Sequence, residues 1–334
     1  MEDFSKQEKT YMQRAIELAN PRRRIVSPNP SVGALIVTSQ GECFEGVTEP
    51  VGGSHAEIVA LKKAGNKARG AVLFSTLEPC SHYGHTPPCA DVIIDSGIKK
   101  VFVGIEDPDK RVQGQGIQKM KKAGLDVSIG LCKEIIEEQL QAYIVHRKTG
   151  RPFVILKLAI TIDGGIAAPD GTSNWITGPQ ARQDVHMLRS LSDAILVGAG
   201  TIRKDDPQLS VRAVQGIDPL RVVLGKIPPG AKAIPAKEMT GDLEEILQDL
   251  GRQGVLQLLV EGGAKVASQF HDRSLVDRYV FYMAPALFGG GNYKKAFEGK
   301  GIETISDIWR GEFVSVVKLG QDLRIDLVPK EKAI

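Results

Sequence analysis

Any fold of this chain has to bring three potential metal ligands together from positions 55, 80 and 89. His55-Ala56-Glu57 is followed by Pro79-Cys80 and then by Cys89. An imidazole and two thiolates suit zinc, and three protein ligands leave the fourth tetrahedral position open to water or substrate. Zinc lowers the pKa of water at such a position to near neutrality. Glu57 is a carboxylate two residues from the imidazole, placed to move protons there rather than to bind the ion.

The order H-x-E followed by P-C and a second Cys is that of the zinc-dependent nucleobase deaminases. Their usual spacing is C-x-x-C, whereas residues 81–88 separate Cys80 from Cys89. Two other readings compete. Buried free thiols are common because Cys behaves as a small hydrophobe. A structural zinc site needs a fourth ligand, which His82 or His85 could supply. Two cysteines remain, Cys43 and Cys132. They show no paired spacing, so the set is no disulfide framework and a reducing, cytoplasmic setting is expected.

A length of 334 residues favours two domains. The formal net charge of +3 is too small to argue for a nucleic-acid or membrane partner. No stretch approaches the ~18 apolar residues of a membrane span, and the charged first twenty residues do not resemble a signal peptide.

In the first half, apolar spacing predicts helices over 6–19, 57–64, 89–96, 117–123 and 134–146. Short apolar runs predict strands over 32–37, 71–76, 101–105 and 127–129. The expected fold is an α/β/α sandwich over residues 1–147. His55 and Cys89 then open helices, whose N-termini favour thiolate over thiol. The basic stretch 146–152, broken by Gly150 and Pro152, is read as the boundary.

The second half, 151–330, opens with an apolar run over 153–160 that Lys157 interrupts. A helix is expected over 179–191, with Thr177 and Gln180 at capping-box spacing. Further strands are expected over 194–197, 220–224, 255–260, 278–283 and 312–319, and helices over 242–250 and 265–270. Two strand ends are glycine-rich, Val197-Gly198-Ala199-Gly200-Thr201 and Val260-Glu261-Gly262-Gly263. Each reads as a turn or as a phosphate-facing helix entry. Neither fits G-x-G-x-x-G, which argues against a Rossmann site. Lys157 and Arg189 stand open between surface residues and ligands.

Taken together, these motifs resemble the bifunctional deaminase–reductases of riboflavin biosynthesis. The resemblance rests on Ser27-Pro28-Asn29-Pro30-Ser31-Val32-Gly33, on His55-Ala56-Glu57 and on the run from Thr76-Leu77-Glu78-Pro79-Cys80 to Pro87-Pro88-Cys89. In the second half it rests on Lys157-Leu158-Ala159, Asp163-Gly164, Ser173-Asn174-Trp175-Ile176-Thr177, Thr201 with Asp205-Asp206-Pro207, and Val260-Glu261-Gly262-Gly263. The eight-residue cysteine gap is that family's own spacing.

The resemblance implies a cytidine-deaminase-like first domain and a dihydrofolate-reductase-like second one. It implies zinc on His55, Cys80 and Cys89, a proton shuttle at Glu57 and a pyrimidine contact at Asn29. It implies NADPH at Ala159, Trp175, Thr201, Asp205 and Gly263. Substrate contacts fall to Ser173, Arg189, Leu209, Arg212 and Glu261, with the two arginines suited to a sugar phosphate. The implied reactions remove the 2-amino group of 2,5-diamino-6-ribosylamino-4(3H)-pyrimidinone 5′-phosphate and then reduce its ribosyl group to ribityl. A homo-oligomer is implied as well.

The chain departs from the family pattern between Leu224 and Val255, where it is short and reads Gly225-Lys226. One helix is expected there and one or two strands fewer, which would weaken the adenosine side of the cofactor site. Three alternatives follow: a deaminase with a non-catalytic second domain, a nucleic-acid base deaminase, and a zinc-stapled binding protein. An aromatic content of 5% speaks against the stacking groove that single-stranded nucleic acid needs.

Overall fold

The structure is a computed structural model that describes residues 4–82, 87–110 and 112–330; His85 lies outside them. The chain divides into two compact units, Met1–Gly150 and Arg151–Ile334.

In the first unit the chain runs through α1 (Lys6–Ala19), α2 (Arg23–Val26), β1 (Gly33–Val37), β2 (Cys43–Val47), α3 (Ala56–Ala64) and β3 (Val72–Leu77). It continues through α4 (Cys89–Asp95), β4 (Lys100–Ile105), α5 (Gln115–Lys122), β5 (Asp126–Ile129) and α6 (Lys133–Thr149). Ser5 caps α1 and forms a reciprocal capping box with Glu8. Met12, Ala15, Ile16 and Ala19 make its buried face. That face lies hard on β1, since a Cβ at Gly33 would fall 1.9 Å from the Ala15 carbonyl oxygen. The sheet order is β2-β1-β3-β4-β5. β1 is antiparallel to β2 and β3, and β3, β4 and β5 are parallel. Parallel strands need crossovers, and α4 and α5 supply them. The ends of β3 and β4 and the starts of α3 and α4 therefore gather the loops that carry the chemistry.

The second unit contains β6 (Phe153–Thr161), β7 (Gly165–Ala167), α7 (Pro179–Leu191), β8 (Ala194–Gly198), α8 (Ala199–Asp205), β9 (Leu220–Leu224), β10 (Lys237–Met239) and α9 (Leu243–Arg252). Then follow β11 (Gln257–Val260), α10 (Ala264–Asp272), β12 (Arg278–Ala284), β13 (Lys294–Lys295), β14 (Gly311–Leu319) and β15 (Asp322–Pro329). Eight strands form one sheet in the order β10-β9-β8-β11-β6-β12-β15-β14. β10 to β12 along that order are parallel, and β15 and β14 close it antiparallel. Val154, Leu156, Leu196, Val222, Leu258 and Val260 pack against Leu243, Ile246, Leu247 and Leu250 of α9. Those four recur at helical spacing, and each buried side chain contributes on the order of 1.5–3 kcal/mol.

Four local readings change. The capping box at Thr177 and Gln180 does not form, because α7 starts at Pro179 with Gly178 as its cap. The Gly178 N–H instead donates to Asp322 Oδ2 at 2.7 Å. Residues 199–205 continue a strand end as helix α8. The strand expected from 255 starts at Gln257, because the Asp193 carboxylate takes the Leu256 and Gln257 N–H groups. The short stretch after Leu224 holds a strand as well as a helix: β10 pairs with Val222–Leu224 at the sheet edge. Lys237-Glu238-Met239 has no apolar alternation to reveal it.

Candidate active sites

His55 is the N-cap of α3, and its side chain makes no capping bond. Cys80 leaves β3 through Leu77-Glu78-Pro79, and Cys89 begins α4 behind Pro88. Their ligand atoms all lie within 4.8 Å of one another. Cys89 Sγ is 3.3 Å and Cys80 Sγ 3.6 Å from His55 Nδ1. Tetrahedral zinc with ordinary Zn–S and Zn–N bonds sets sulfur and nitrogen about 3.5 Å apart. The donor set and its spacing therefore fit zinc, with Nδ1 as the imidazole ligand.

Charge is already organised at this cluster. The hydrogen bond to Cys80 raises the pKa of His55 to about 9. The neighbouring Cys89 lowers the pKa of Cys80, while that of Cys89 is raised. The Cys89 N–H also points at Cys80 Sγ at 3.3 Å. Glu57 sits in the first turn of α3 at 3% exposure. Burial pushes its pKa up to about 7, against the pull of His55. Asn29 is half-buried just after α2, its N–H bonded to the Val26 carbonyl.

In the second unit, β8 and β11 are parallel neighbours. Each runs into a helix whose cap is a glycine, Gly198 for α8 and Gly263 for α10, with no side-chain capping bond. A Cβ at Gly263 would meet Thr201 Oγ1 at 3.8 Å, so these two residues share one place. Adjacent helix starts with free N–H groups fit a diphosphate, and hence the NADPH that the resemblance implies.

Beside them lies a mostly buried charge cluster. Arg189 of α7 donates to both Glu261 oxygens at 2.7 and 2.9 Å, and to the Ser210 carbonyl at 3.2 Å. Lys157 Nζ is 3.8 Å from Glu261 and 5.8 Å from the Tyr282 ring centroid. Burial would push the Glu261 pKa up, but Arg189 and Lys157 outweigh it and hold it at about 2. Burial lowers the pKa of Lys157, partly offset by Glu261.

Lys157 is thus a partner of Glu261 rather than a snorkelling surface lysine. Arg189 spends its guanidinium on Glu261 and Ser210, whereas Arg212 is exposed. Ala159 is half-buried in β6, opposite Tyr282. Leu209 is buried with a φ of 54°, and Asp205 is exposed at the end of α8. Ser173 is half-buried, and Trp175 is 73% exposed with Arg182 stacked 4.2 Å from its centroid.

Sequence reasoning passed over two further networks. Tyr282 donates to Asp184 at 2.5 Å, and Arg324 joins Asp184 to Asp326. Glu78 accepts four backbone N–H bonds. A charged residue between buried Leu77 and a proline was the available signal for the second.

Comparison with known proteins places both halves. Residues 5–105 match the cytidine and deoxycytidylate deaminase zinc-binding region, and residues 152–325 match the RibD C-terminal domain. The class is therefore a zinc-binding deaminase domain followed by a reductase domain. The riboflavin biosynthesis protein RibD of Mycobacterium tuberculosis is 40% identical over 95% of this chain and 96% of its own. That of Escherichia coli is 34% identical over 96% and 99%. The solved structure of Acinetobacter baumannii RibD superposes with a TM-score of 0.91 at 36% identity, covering 98% of this chain and 99% of that one. A Thermotoga maritima structure, described as a diaminohydroxyphosphoribosylaminopyrimidine deaminase/5-amino-6-(5-phosphoribosylamino)uracil reductase, gives 0.87 at 36% identity, covering 97% and 99%. The chain belongs to the RibD family, the bifunctional deaminase/reductases of riboflavin biosynthesis.

Proposed function

We propose that this chain removes the 2-amino group of 2,5-diamino-6-ribosylamino-4(3H)-pyrimidinone 5′-phosphate and then reduces the ribosyl group of the product to ribityl. The convergence of His55, Cys80 and Cys89 at zinc spacing beside buried Glu57 carries the first half of this reading. Those three residues would hold zinc, which when bound supplies Lewis acidity that makes water nucleophilic near neutral pH. Glu57 would take the proton that water sheds and pass it to the departing ammonia. Asn29 would orient the pyrimidine ring.

In the second unit NADPH would supply the hydride. Thr201 and Gly263 would face its phosphates, with Ala159, Trp175 and Asp205 along the rest of the cofactor. Ser173, Leu209 and Arg212 would bind the substrate, and Arg189 and Glu261 would fix the floor beneath it. Four free thiols, two of them in a metal cluster, suit a reducing cytoplasm. Among the described residues no helix is long and apolar enough to cross a membrane.

The test gives the purified chain the deaminated intermediate and NADPH. Oxidation of NADPH is expected and should survive zinc chelation. Deamination should be lost on chelation and return with added zinc. No NADPH oxidation under conditions where deamination proceeds would leave a deaminase with a silent second domain.

The reading includes a homo-oligomer through β14. That strand is the open edge of the eight-stranded sheet and leaves Phe313, Val314, Val316 and Val317 exposed, and soluble proteins normally blunt or cover such an edge. An antiparallel pairing of two β14 strands centred on Ser315 sets Glu312 opposite Lys318 in both directions, so a second copy fits it. Val316→Lys together with Phe313→Lys should shift the protein to monomer in analytical ultracentrifugation. An unchanged sedimentation coefficient would dismiss this interface.

A further inference from the structure

Glu78 is 3% exposed and stands two residues before Cys80. Its Oε2 accepts the N–H groups of Asp107 at 3.1 Å and Gly114 at 2.9 Å. Its Oε1 accepts those of Gly116 at 2.9 Å and Ile117 at 3.2 Å. Four donors from the end of β4 and the start of α5 thus converge on one carboxylate.

The link from this clamp to Cys80 is short and stiff. Pro79 fixes its own φ and restricts Glu78 to extended backbone. The Glu78 N–H is itself tied to the Ile105 carbonyl at 3.0 Å. The start of α5 lies directly on the Pro79 carbonyl, where a Cβ at Gly116 would fall 2.0 Å from the oxygen. Downstream, the Cys80 carbonyl accepts the Ala90 N–H at 3.1 Å. Cys80 is therefore held from both sides, by Glu78 above and by the start of α4 below. An apolar residue here would leave four N–H groups without an acceptor, whereas the carboxylate, costly to bury unless its donors are complete, meets all four. What it adds is a fixed place for the segment that carries Cys80.

We propose that Glu78 is a positioning residue for the metal site, holding Cys80 at bonding distance from the ion that His55 and Cys89 share. This rests on the zinc reading above. Glu78→Gln replaces one acceptor oxygen with an NH2 that faces two N–H donors, so one pair of bonds is lost while the volume stays.

The experiment compares the full-length parent and E78Q by zinc release to 4-(2-pyridylazo)resorcinol and by the thiolate-to-cobalt charge-transfer bands of the cobalt-substituted chains. Zinc release should be ~10-fold faster or more in E78Q, as when groups supporting a ligand are removed. The cobalt bands should shift, deamination kcat should fall, and NADPH oxidation should stay at the parent rate. Release and bands equal to the parent would overturn the proposal even if the thermal midpoint fell, because a purely fold-stabilising residue moves only the midpoint. If E78Q is insoluble, Glu78→Asp keeps both oxygens but draws them back by one methylene. It should move the same readouts in the same direction by less, and parent-like values would again overturn the idea. A parent that bound neither zinc nor cobalt would sink the zinc reading itself. A parent that binds both, beside an unaltered variant, sinks only the role of Glu78.

Discussion

Glu57→Gln is expected to lower deamination by roughly 10²–10⁴-fold, the usual contribution of a positioned general acid–base, with zinc content and NADPH oxidation unchanged. Gln keeps the volume and the helical propensity that α3 needs, so the fold should stand. It cannot accept and return a proton. Glu57 is buried in the first turn of α3, two residues after His55, so bulk solvent cannot readily replace it. The assay is ammonia release, with metal content measured on the same sample. Activity within ~3-fold of the parent, zinc being retained, would remove Glu57 from the role of proton shuttle, since that role demands a far larger loss. Loss of zinc together with activity would mean that Glu57 helps to hold the ion.

The first site was legible because its chemistry is local. A histidine that opens one helix and a cysteine that opens another can be read from apolar periodicity, and the metal then demands that they meet. Cys80 and Cys89 were recognisable from their spacing because the 81–88 gap is a family trait. The Glu78 clamp was not legible, since its four donors come from residues 29 to 39 positions away. The second site was legible only in pieces. Lys157, Arg189 and Glu261 come from β6, α7 and the end of β11, and nothing in their spacing says that they meet. The same limit hid β10, three residues long and stabilised by its neighbour rather than by its own composition. β15 was passed over although Leu323, Ile325 and Leu327 alternate with polar residues at strand period.

Glu261→Ala is expected to be the most damaging single change in the second unit. It leaves the Arg189 and Lys157 charges buried without their shared carboxylate. Breaking such a pair costs about 3–5 kcal/mol. For a unit of this size that corresponds to a fall in thermal midpoint of about 10 °C. Both tryptophans, Trp175 and Trp309, lie in this unit, so their fluorescence reports its unfolding selectively. Glu261→Gln should do nearly as much harm, because shape is kept and charge is lost. Either variant should also lose NADPH oxidation while zinc-dependent deamination remains, since His55, Cys80 and Cys89 are untouched. The parent's acid response follows from the same cluster. Glu261 is held at about 2 in the fold, below the ordinary 4.5 of a glutamate. Its contribution is therefore complete above about 4.5 and is lost as pH falls through about 2. Between those values the stability gap between parent and variants should narrow as pH drops. A gap that stayed constant from neutrality down to pH 2 would show that the carboxylate's charge is not what stabilises this core.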